Sequence, residues 1–143
     1  MRIKVKKLHK NAIMPSQANE GDAGRDLYLI EDLVLYPGKP ALAHTGISVA
    51  IPMGYEMQIR PRSGLALKKA VTVLNSPGTI ESGDRGEVGV ILIYHGEVFA
   101  VLNKGERIAQ AVVAKYEMPN YNWVDDLDDS SERGEGGYGS SGE

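Results

Sequence analysis

Short runs of alternating apolar and polar residues, each ended by a turn signal, extend over most of the 143-residue chain. Alternation with a period of two places the apolar side chains on one face of a β-strand. Turn signals such as "PGK", "PMG", "HGE" and "NKGE" separate these runs at intervals of about eight to twelve residues. The pattern predicts an all-β, jelly-roll-like antiparallel sandwich or barrel, with strands over 2–8, 32–36, 46–52, 55–60, 71–74, 87–94, 97–102 and 107–116.

One segment departs from this alternation. The sequence "SGLALKKA", residues 63–70, predicts a short helix. We expect Ser63 to be its N-cap, because a serine hydroxyl can accept a hydrogen bond from a free N–H group of the first turn. Leu65, Leu67 and Ala70 are then available to pack against the sheets.

The C-terminal segment has a different composition from the rest of the chain. After Met118 the sequence is acidic and then rich in glycine, with few apolar residues. We therefore predict a β domain over 1–118 and a flexible C-terminal arm over 119–143. Gly/Ser-rich ends are commonly disordered, but Arg133 can bind phosphate oxygens with its planar guanidinium and Tyr138 can stack on a base. These two residues predict a mobile flap that closes over a nucleotide.

Composition excludes several classes of function. The formal net charge of −3 gives no general attraction to nucleic acid. The absence of cysteine excludes disulfides, thiolate zinc sites and a cysteine nucleophile. His9, His44 and His95 stand singly, without the spacing of a zinc site. No apolar leader or membrane-spanning stretch is visible, so we expect a cytoplasmic protein without nucleic-acid or membrane partners.

Two loops in the first half carry polar residues that the strands do not require. "EGDAGRDLYL", residues 20–29, holds two aspartates around a glycine, and taken alone it indicates a polar turn that leads into a strand. In "RPRSGLALK", residues 60–68, the Arg62 guanidinium, the Ser63 hydroxyl and the Gly64 N–H all lie at the start of the helix. They predict an anion-binding site, and the alternative is a capped surface helix with solvated arginines.

Two further loops follow. "LNSPGTIESGDRGEVGV", residues 74–90, contains a connection of about twelve residues, a length typical of functional loops. Asn75 has donors and an acceptor that suit the edge of a pyrimidine, and Glu81 and Asp84 could handle a water molecule. Gln110 lies in the otherwise apolar strand that follows "KGE", so its amide needs a partner in the core or in a site.

In this order and at this spacing, the four loops and the tail resemble the five sequence motifs of the trimeric dUTPase family. The matching segments are "DAGRDL", "RPRSGLA", "NSPGTIESGDRGE", "GERIAQ" and "RGEGGYGSSG". The resemblance implies a jelly-roll homotrimer that hydrolyses dUTP to dUMP and pyrophosphate, which lowers dUTP and supplies dUMP for dTMP synthesis. It also implies Mg²⁺ on the triphosphate, and active sites between subunits that the arm of another chain closes.

The resemblance also implies roles for individual residues of the β domain. Asp26 would face the water shell of the metal, and Gln110 would bind a water or a phosphate near the reacting phosphorus. Asn75 would read the uracil together with the backbone near Ile80 and Gly89. The phosphates would be held by Arg62, Ser63 and Gly64, while Thr79 and Ile80 would flank the deoxyribose.

In the arm, the resemblance implies that Tyr138 stacks on the base, at a position where the family usually has Phe or His. Arg133 would take the γ-phosphate together with the segment Gly139, Ser140 and Ser141. Arg133 and Tyr138 therefore keep the roles that their chemistry already indicated.

The third motif departs from the family at two positions. Glu81 occupies the position of the water-activating aspartate, and Asp84 occupies that of an aromatic ring packed under the deoxyribose. We expect reduced but real hydrolysis, with weaker rejection of UTP because a short carboxylate leaves room for a 2′-hydroxyl. The alternative for Asp84 is a surface ion pair with Arg85.

Two other functions remain open at this point. A dCTP deaminase-like relative would share the fold and attack the base instead of the phosphate, but such relatives lack the glycine-rich fifth motif. A regulatory member would bind dUTP and hydrolyse it only weakly.

Overall fold

The computed structural model describes residues 1–128 and 130–142. The chain in these ranges forms ten strands and one helix: β1 Lys4–Lys7, β2 Arg25–Tyr28, β3 Leu33–Leu35, β4 Ala41–Ala50, β5 Tyr55–Arg60, α1 Ser63–Lys69, β6 Val71–Val73, β7 Gly78–Ile80, β8 Glu87–Tyr94, β9 Ala100–Leu102 and β10 Arg107–Lys115. The described helix is too short and too polar to cross a membrane.

Two four-stranded antiparallel sheets make up the body of the domain. Their orders are β1-β4-β8-β6 and β2-β10-β5-β7, and β3 pairs with β9 in a small third sheet. Apolar side chains of both large sheets are buried together, among them Leu27, Val88, Val90, Leu92 and Ile108. The predicted all-β fold with jelly-roll-like antiparallel sheets is confirmed. The sheets pack together because each alternating strand presents one apolar face, and these faces are buried against one another.

Strand bounds follow the sequence where the alternation is regular. The bounds of β5 and β8 are as predicted, and β10 ends one residue earlier. The predicted strand 46–52 is too short at its start, since β4 begins at Ala41. Its register against β8 shifts between His44 and Ser48, and Gly46 has a φ of +68°. This bulge interrupts the period of two and hides the first half of the strand.

The long connection between β6 and β8, residues 74–86, has about the predicted length but is interrupted by a strand that the sequence did not reveal. It contains β7, which pairs with β5 in the other sheet. Three residues are too few to show a period of two. β7 is the edge strand of the β2-β10-β5-β7 sheet, and residues 74–77 connect it to β6.

Helix α1 begins differently from the prediction. Its N-cap is Arg62, which is extended and makes no side-chain capping bond, so the prediction of Ser63 as N-cap is wrong. Ser63 is the first helical residue, and Ala70 ends the helix with a φ of +54°. Only Leu65 is buried, while Leu67 projects into solvent.

The arm has no regular secondary structure in residues 116–128 and 130–142. Tyr121, Trp123 and Tyr138 are fully or almost fully exposed. The glycine-rich part folds into local turns, in which the N–H of Gly136 bonds to Arg133 O at 3.1 Å and that of Ser140 to Gly137 O at 3.0 Å. The division between a 1–118 domain and a 119–143 arm stays a prediction, and residues 129 and 143 lie outside the described ranges.

Candidate active site

Asp26 is the centre of a small charged cluster. Arg62 Nε donates a hydrogen bond to Asp26 Oδ1 at 3.0 Å, and Arg107 Nη1 lies 3.7 Å from Asp26 Oδ2. The side chains of Asp26 and Arg62 are only 15% and 25% exposed, whereas that of Arg107 is 50% exposed. Two guanidinium groups lie against the Asp26 carboxylate, and their remaining N–H donors suit an anionic ligand.

The pairing of β10 brings these residues together. β10 lies between β2 and β5, with Gln110 opposite both Asp26 and Arg60. Arg107 was not singled out in the sequence, because strict alternation would place it on the opposite face from Gln110. A register shift between Arg107 and Ala109 interrupts this alternation, and the Arg107 guanidinium lies beside Asp26.

Gln110 is held in one orientation. Its Nε2 donates a hydrogen bond to Pro61 O at 3.0 Å, which supplies the partner that this half-buried amide needs. A carbonyl can only accept, so the amide nitrogen must face Pro61. The amide oxygen then faces Gly24, where an added Cβ atom would lie only 2.0 Å from Oε1.

A surface pocket of about 390 Å³ opens beside this cluster. It joins residues of three sequence-predicted segments, those around Asp26, Arg62 and Gln110. The lining residues are Ala18, Asp22, Ala23, Gly24, Asp26, Arg62, Ser63, Gly64 and Gln110. Ser63 and Gly64 lie in the first turn of α1, whose N–H groups include those left free at any helix start. A pocket lined by an arginine and such N–H groups can bind phosphate oxygens.

The third of the five segments, "NSPGTIESGDRGE" at residues 75–87, lies around β6, β7 and β8. Asn75 and Thr79 are exposed, and the half-buried Ile80 packs on the core. A Cβ atom on Gly78 would lie 3.2 Å from Ile59 and 3.4 Å from Asn75 Nδ2, so the glycine allows the Asn75 amide to come close. Gly89 lies on β8 opposite His44.

Residues 81–86 form a turn that is held by its own polar groups. The N–H of Asp84 bonds to Glu81 O at 3.1 Å, and that of Gly86 bonds to Asp84 Oδ1 at 2.8 Å. Arg85 Nη1 donates to the carbonyls of Ser82 at 2.7 Å and Asp84 at 3.0 Å. In the described part of the chain Asp84 and Arg85 form no ion pair, so that alternative for Asp84 is wrong.

Glu87 joins the start of β8 to the bulge in β4. Its Oε1 lies 2.6 Å from His44 Nδ1, and its Oε2 accepts the N–H of Gly46 at 2.9 Å. The hydrogen bond to Glu87 raises the pKa of His44 above its usual value, and the negative charges of Glu87 and Glu31 act in the same direction.

One chain brings together only part of the predicted site. The pocket is lined by residues of the first, second and fourth segments, and no residue of 74–90 or of the described arm contributes to it. Arg133 Nε bonds to Gly136 O within the arm, and Tyr138, with a φ of +52°, is fully exposed. Gly139, Ser140 and Ser141 lie in the neighbouring turns.

Comparison with known proteins identifies the family. The dUTPase family model matches residues 10–142. The chain belongs to the dUTPase family. The deoxyuridine 5′-triphosphate nucleotidohydrolase of Picosynechococcus sp. is 51% identical over 142 residues, which are 99% of both chains. That of Clostridioides difficile is 52% identical over 140 residues, 98% of this chain and 97% of the relative.

Solved dUTPase structures have the same fold. The dUTPase of Staphylococcus bacteriophage 80alpha, in complex with dUpNHpp, superposes with a TM-score of 0.92 at 32% identity, covering 99% of this chain and 98% of that chain. A mutant dUTPase of phage phi11 of S. aureus, whose structure shows a coordinated structural Mg(II) ion, has a TM-score of 0.81 at 25% identity, over 89% of this chain and 99% of that chain.

Proposed function

We propose that the protein is a cytoplasmic dUTP diphosphatase, which hydrolyses dUTP to dUMP and pyrophosphate. The observation that carries this proposal is the pocket lined by Asp26, Arg62, the start of α1 and Gln110, with Arg107 beside Asp26 at its edge. Phosphoryl transfer asks a protein mainly to position the reactants and neutralise charge, and this pocket provides groups for both.

The phosphates are bound by Arg62, Ser63 and Gly64. Because Ser63 does not cap the helix, its hydroxyl is available to a ligand. Arg107 adds a second cation at the same site, on the other side of Asp26. Asp26 keeps the two guanidinium groups in place, and substrate oxygens bind to their remaining N–H donors.

The attacking water is activated by Glu81. Its carboxylate is exposed and makes no hydrogen bond or ion pair within the described residues, so it is free to accept a proton. The water oxygen forms a bond to the α-phosphorus, and the bond from that phosphorus to the α,β-bridging oxygen breaks. Pyrophosphate leaves with the bonding electrons, and Gln110 helps to place the water.

A magnesium ion is part of the proposal. The described residues contain no cluster of three or more carboxylates and histidines that could enclose a metal. A site with few protein carboxylates fits Mg²⁺, because this ion commonly binds to substrate phosphates and keeps several waters. Asp26 and Asp22 are the carboxylates that line the pocket, and Asp26 would face the water shell. When bound, the ion neutralises charge on the triphosphate.

The nucleoside is bound by the third segment. Asn75 and the backbone near Ile80 and Gly89 read the uracil edge, and Thr79 and Ile80 flank the deoxyribose. The close approach of the Asn75 amide to Gly78 and the pairing of β7 with β5 support a preformed loop at this position. Asp84 faces the sugar.

The complete site is formed by a homotrimer. The separation of the third segment from the pocket in one chain supports a site shared between subunits. The outer face of the β1-β4-β8-β6 sheet also exposes Leu42, the adjacent Ile91 and Leu74, and apolar sheet faces of this kind are typical of interfaces. Sedimentation should therefore give three times the mass of one chain, and a stable monomer would contradict the shared site.

The arm of a neighbouring chain closes the site. Arg133, with Gly139, Ser140 and Ser141, binds the γ-phosphate, and Tyr138 stacks on the base. Tyr138 is free to do so, because its side chain is fully exposed in the isolated chain.

Release of pyrophosphate from dUTP by the purified protein with Mg²⁺ tests the proposal directly. We expect turnover that Arg62→Ala reduces by about 100-fold or more, as for loss of a group that stabilises transition-state charge. Release of ammonia from dCTP would instead indicate a deaminase. Tight dUTP binding without pyrophosphate release would indicate a regulatory protein.

A further inference from the structure

Gly24 contacts Gln110 more closely than any other residue type could. A Cβ atom on Gly24 would lie 2.0 Å from Gln110 Oε1, 3.0 Å from its Cδ and 3.3 Å from its Cβ. Real Cβ atoms essentially never approach another heavy atom closer than 3.0 Å. Either Gly24 stays without a side chain, or the end of the Gln110 side chain has to move.

The backbone at position 24 does not itself require glycine. The glycines of this chain that need their conformational freedom, such as Gly21 and Gly46, have positive φ angles, and Gly24 is not among them. Its φ is therefore not one that excludes residues with a side chain. Glycine is required at this position because the Gln110 amide occupies the space where a Cβ atom would lie.

The Gln110 amide is fixed on its other side as well. Its Nε2 donates to Pro61 O, so its oxygen is the atom that lies against Gly24, beside the pocket that both residues line. An amide oxygen accepts hydrogen bonds and cannot donate one. In this orientation Gln110 can accept a hydrogen bond from a water in the pocket with its oxygen.

We infer that Gly24 is a positioning residue, which keeps the Gln110 amide oxygen directed at the attacking water. The inference rests on the proposed hydrolysis of dUTP for its catalytic consequence. It links the first segment to the second and fourth, since Gly24, Pro61 and Gln110 come from three different segments and meet at one amide group.

The expected behaviour of Gly24→Ala follows from where the clash occurs. The two nearest atoms, Oε1 and Cδ, belong to the end of a flexible side chain, and Gln110 Cβ at 3.3 Å needs a shift of only a few tenths of an ångström. The protein can therefore fold with the amide displaced. A displacement of about 1 Å in an aligned group can lower the rate about 100-fold. We expect Gly24→Ala to have a melting temperature close to that of the wild type and to lose roughly 10- to 100-fold in kcat, with a smaller change in KM.

A double-mutant cycle with Gln110→Ala tests the coupling. If Gly24 acts only through Gln110, the two single variants should lose similar activity, and Gly24→Ala should have little further effect once Gln110 is alanine. Wild-type kcat in Gly24→Ala, or losses that multiply in the double variant, would overturn the inference.

A measurement that does not depend on turnover separates this inference from the proposed reaction. The side-chain amide resonance of Gln110, assigned from its absence in Gln110→Ala, should shift in Gly24→Ala as the bond to Pro61 is lost. An unchanged resonance would overturn the positioning role whatever reaction the protein catalyses. Absence of dUTP hydrolysis by the wild type, together with a shifted resonance, would refute the proposed function and leave the contact between Gly24 and Gln110 established.

Discussion

At the scale of single residues, the proposed site depends on two side chains of the turn at 81–86, and Glu81 is the first of them. Its carboxylate stands on a turn whose main chain is held by Arg85 and by the N–H groups of Asp84 and Gly86. A turn fixed in this way gives the glutamate little freedom to correct its reach through the backbone. The extra methylene of Glu81, relative to an aspartate, therefore places the carboxylate farther from the main chain.

We predict that Glu81→Asp raises kcat for dUTP. A shorter side chain on the same turn should aim the base better, and an error of about 1 Å can lower a rate on the order of 100-fold. Steady-state kinetics should show the gain in kcat, with Glu81→Gln as the matched control that removes the base and the activity. If Glu81→Asp is no faster than the wild type, Glu81 is not misaligned.

A second prediction concerns Asp84 and the sugar. One of its carboxylate oxygens accepts the Gly86 N–H, and the side chain is short and exposed. At the proposed position beside the sugar, this side chain leaves space for a 2′-hydroxyl, which a carboxylate can also bind. Asp84→Tyr should raise the ratio of kcat/KM for dUTP over UTP, by roughly 10-fold or more.

The control for this prediction is Asp84→Asn, which keeps the size of the side chain and an acceptor for Gly86. It should leave the ratio close to that of the wild type. A ratio that Asp84→Tyr does not change would show that position 84 does not contact the sugar.

Residue-scale predictions from sequence succeeded where chemistry alone determined the contact. Gln110 needed a polar partner, and Pro61 O provides it. Ser63 did not become the N-cap, because the chain enters α1 from an extended Arg62 whose guanidinium binds Asp26, a residue distant in sequence. Local capping preferences carry no information about such a contact.

At the scale of elements, the sequence predicted strand bounds correctly where the alternation of apolar and polar residues was unbroken. Where a bulge interrupted the alternation, part of the strand was missed. β5 and β8 alternate regularly and have the predicted bounds. The bulge at Gly46 hid half of β4, and the shift near Ala109 hid the position of Arg107 beside Asp26. Bulges are set by pairing with other strands, which a single stretch of sequence does not reveal.

The bulge in β4 leads to a prediction on pH. The hydrogen bond to Glu87 raises the pKa of the folded-state His44 above the value of about 6.5 of the unfolded chain. The pair therefore stabilises the protein fully below that unfolded pKa, and the contribution is lost as pH rises through the folded-state pKa. Since the His44 side chain is 39% exposed, we expect at most about 1 kcal/mol.

Denaturant unfolding of the wild type, His44→Gln, Glu87→Gln and the double variant measures this coupling. The coupling free energy between the two residues should be larger at pH 6 than at pH 9. Glu31 also acts on His44, so Glu31→Gln serves as the control for the remaining charge. A coupling that is independent of pH would contradict the assigned cause of the pKa shift.

At the scale of the whole molecule, the order of the five segments indicated the family more clearly than any strand pattern could. Each segment alone fits a common turn or helix start, but their succession matches the dUTPase family over residues 10–142. The sequence could not show which segments meet within one chain. Pairing of β2, β10 and β5 unites Asp26, Gln110 and the residues before α1 beside one pocket. β7 joins the same sheet through β5, but no residue of 74–90 or of the described arm lines that pocket.

The arm provides the last prediction, because its described residues contribute nothing to the core. In residues 130–142 the hydrogen bonds of Arg133 and of the glycine-rich turns are all internal to the arm, and Tyr138 is fully exposed. Deletion of residues 132–143 should therefore change the melting temperature little. It should lower kcat for dUTP by about 100- to 1,000-fold, since Arg133 can neutralise charge that develops on the leaving pyrophosphate.

Arg133→Lys is the matched variant for this deletion, because it keeps the charge and removes the planar fork that binds two oxygens at once. We expect its kcat to fall between those of the wild type and the truncated protein. Near-wild-type turnover without residues 132–143 would show that the arm takes no part in the reaction. A large fall in melting temperature would show instead that the arm packs on the folded protein even without nucleotide. The arm would then be exposed in a single chain only because the other subunits of the proposed trimer are not beside it.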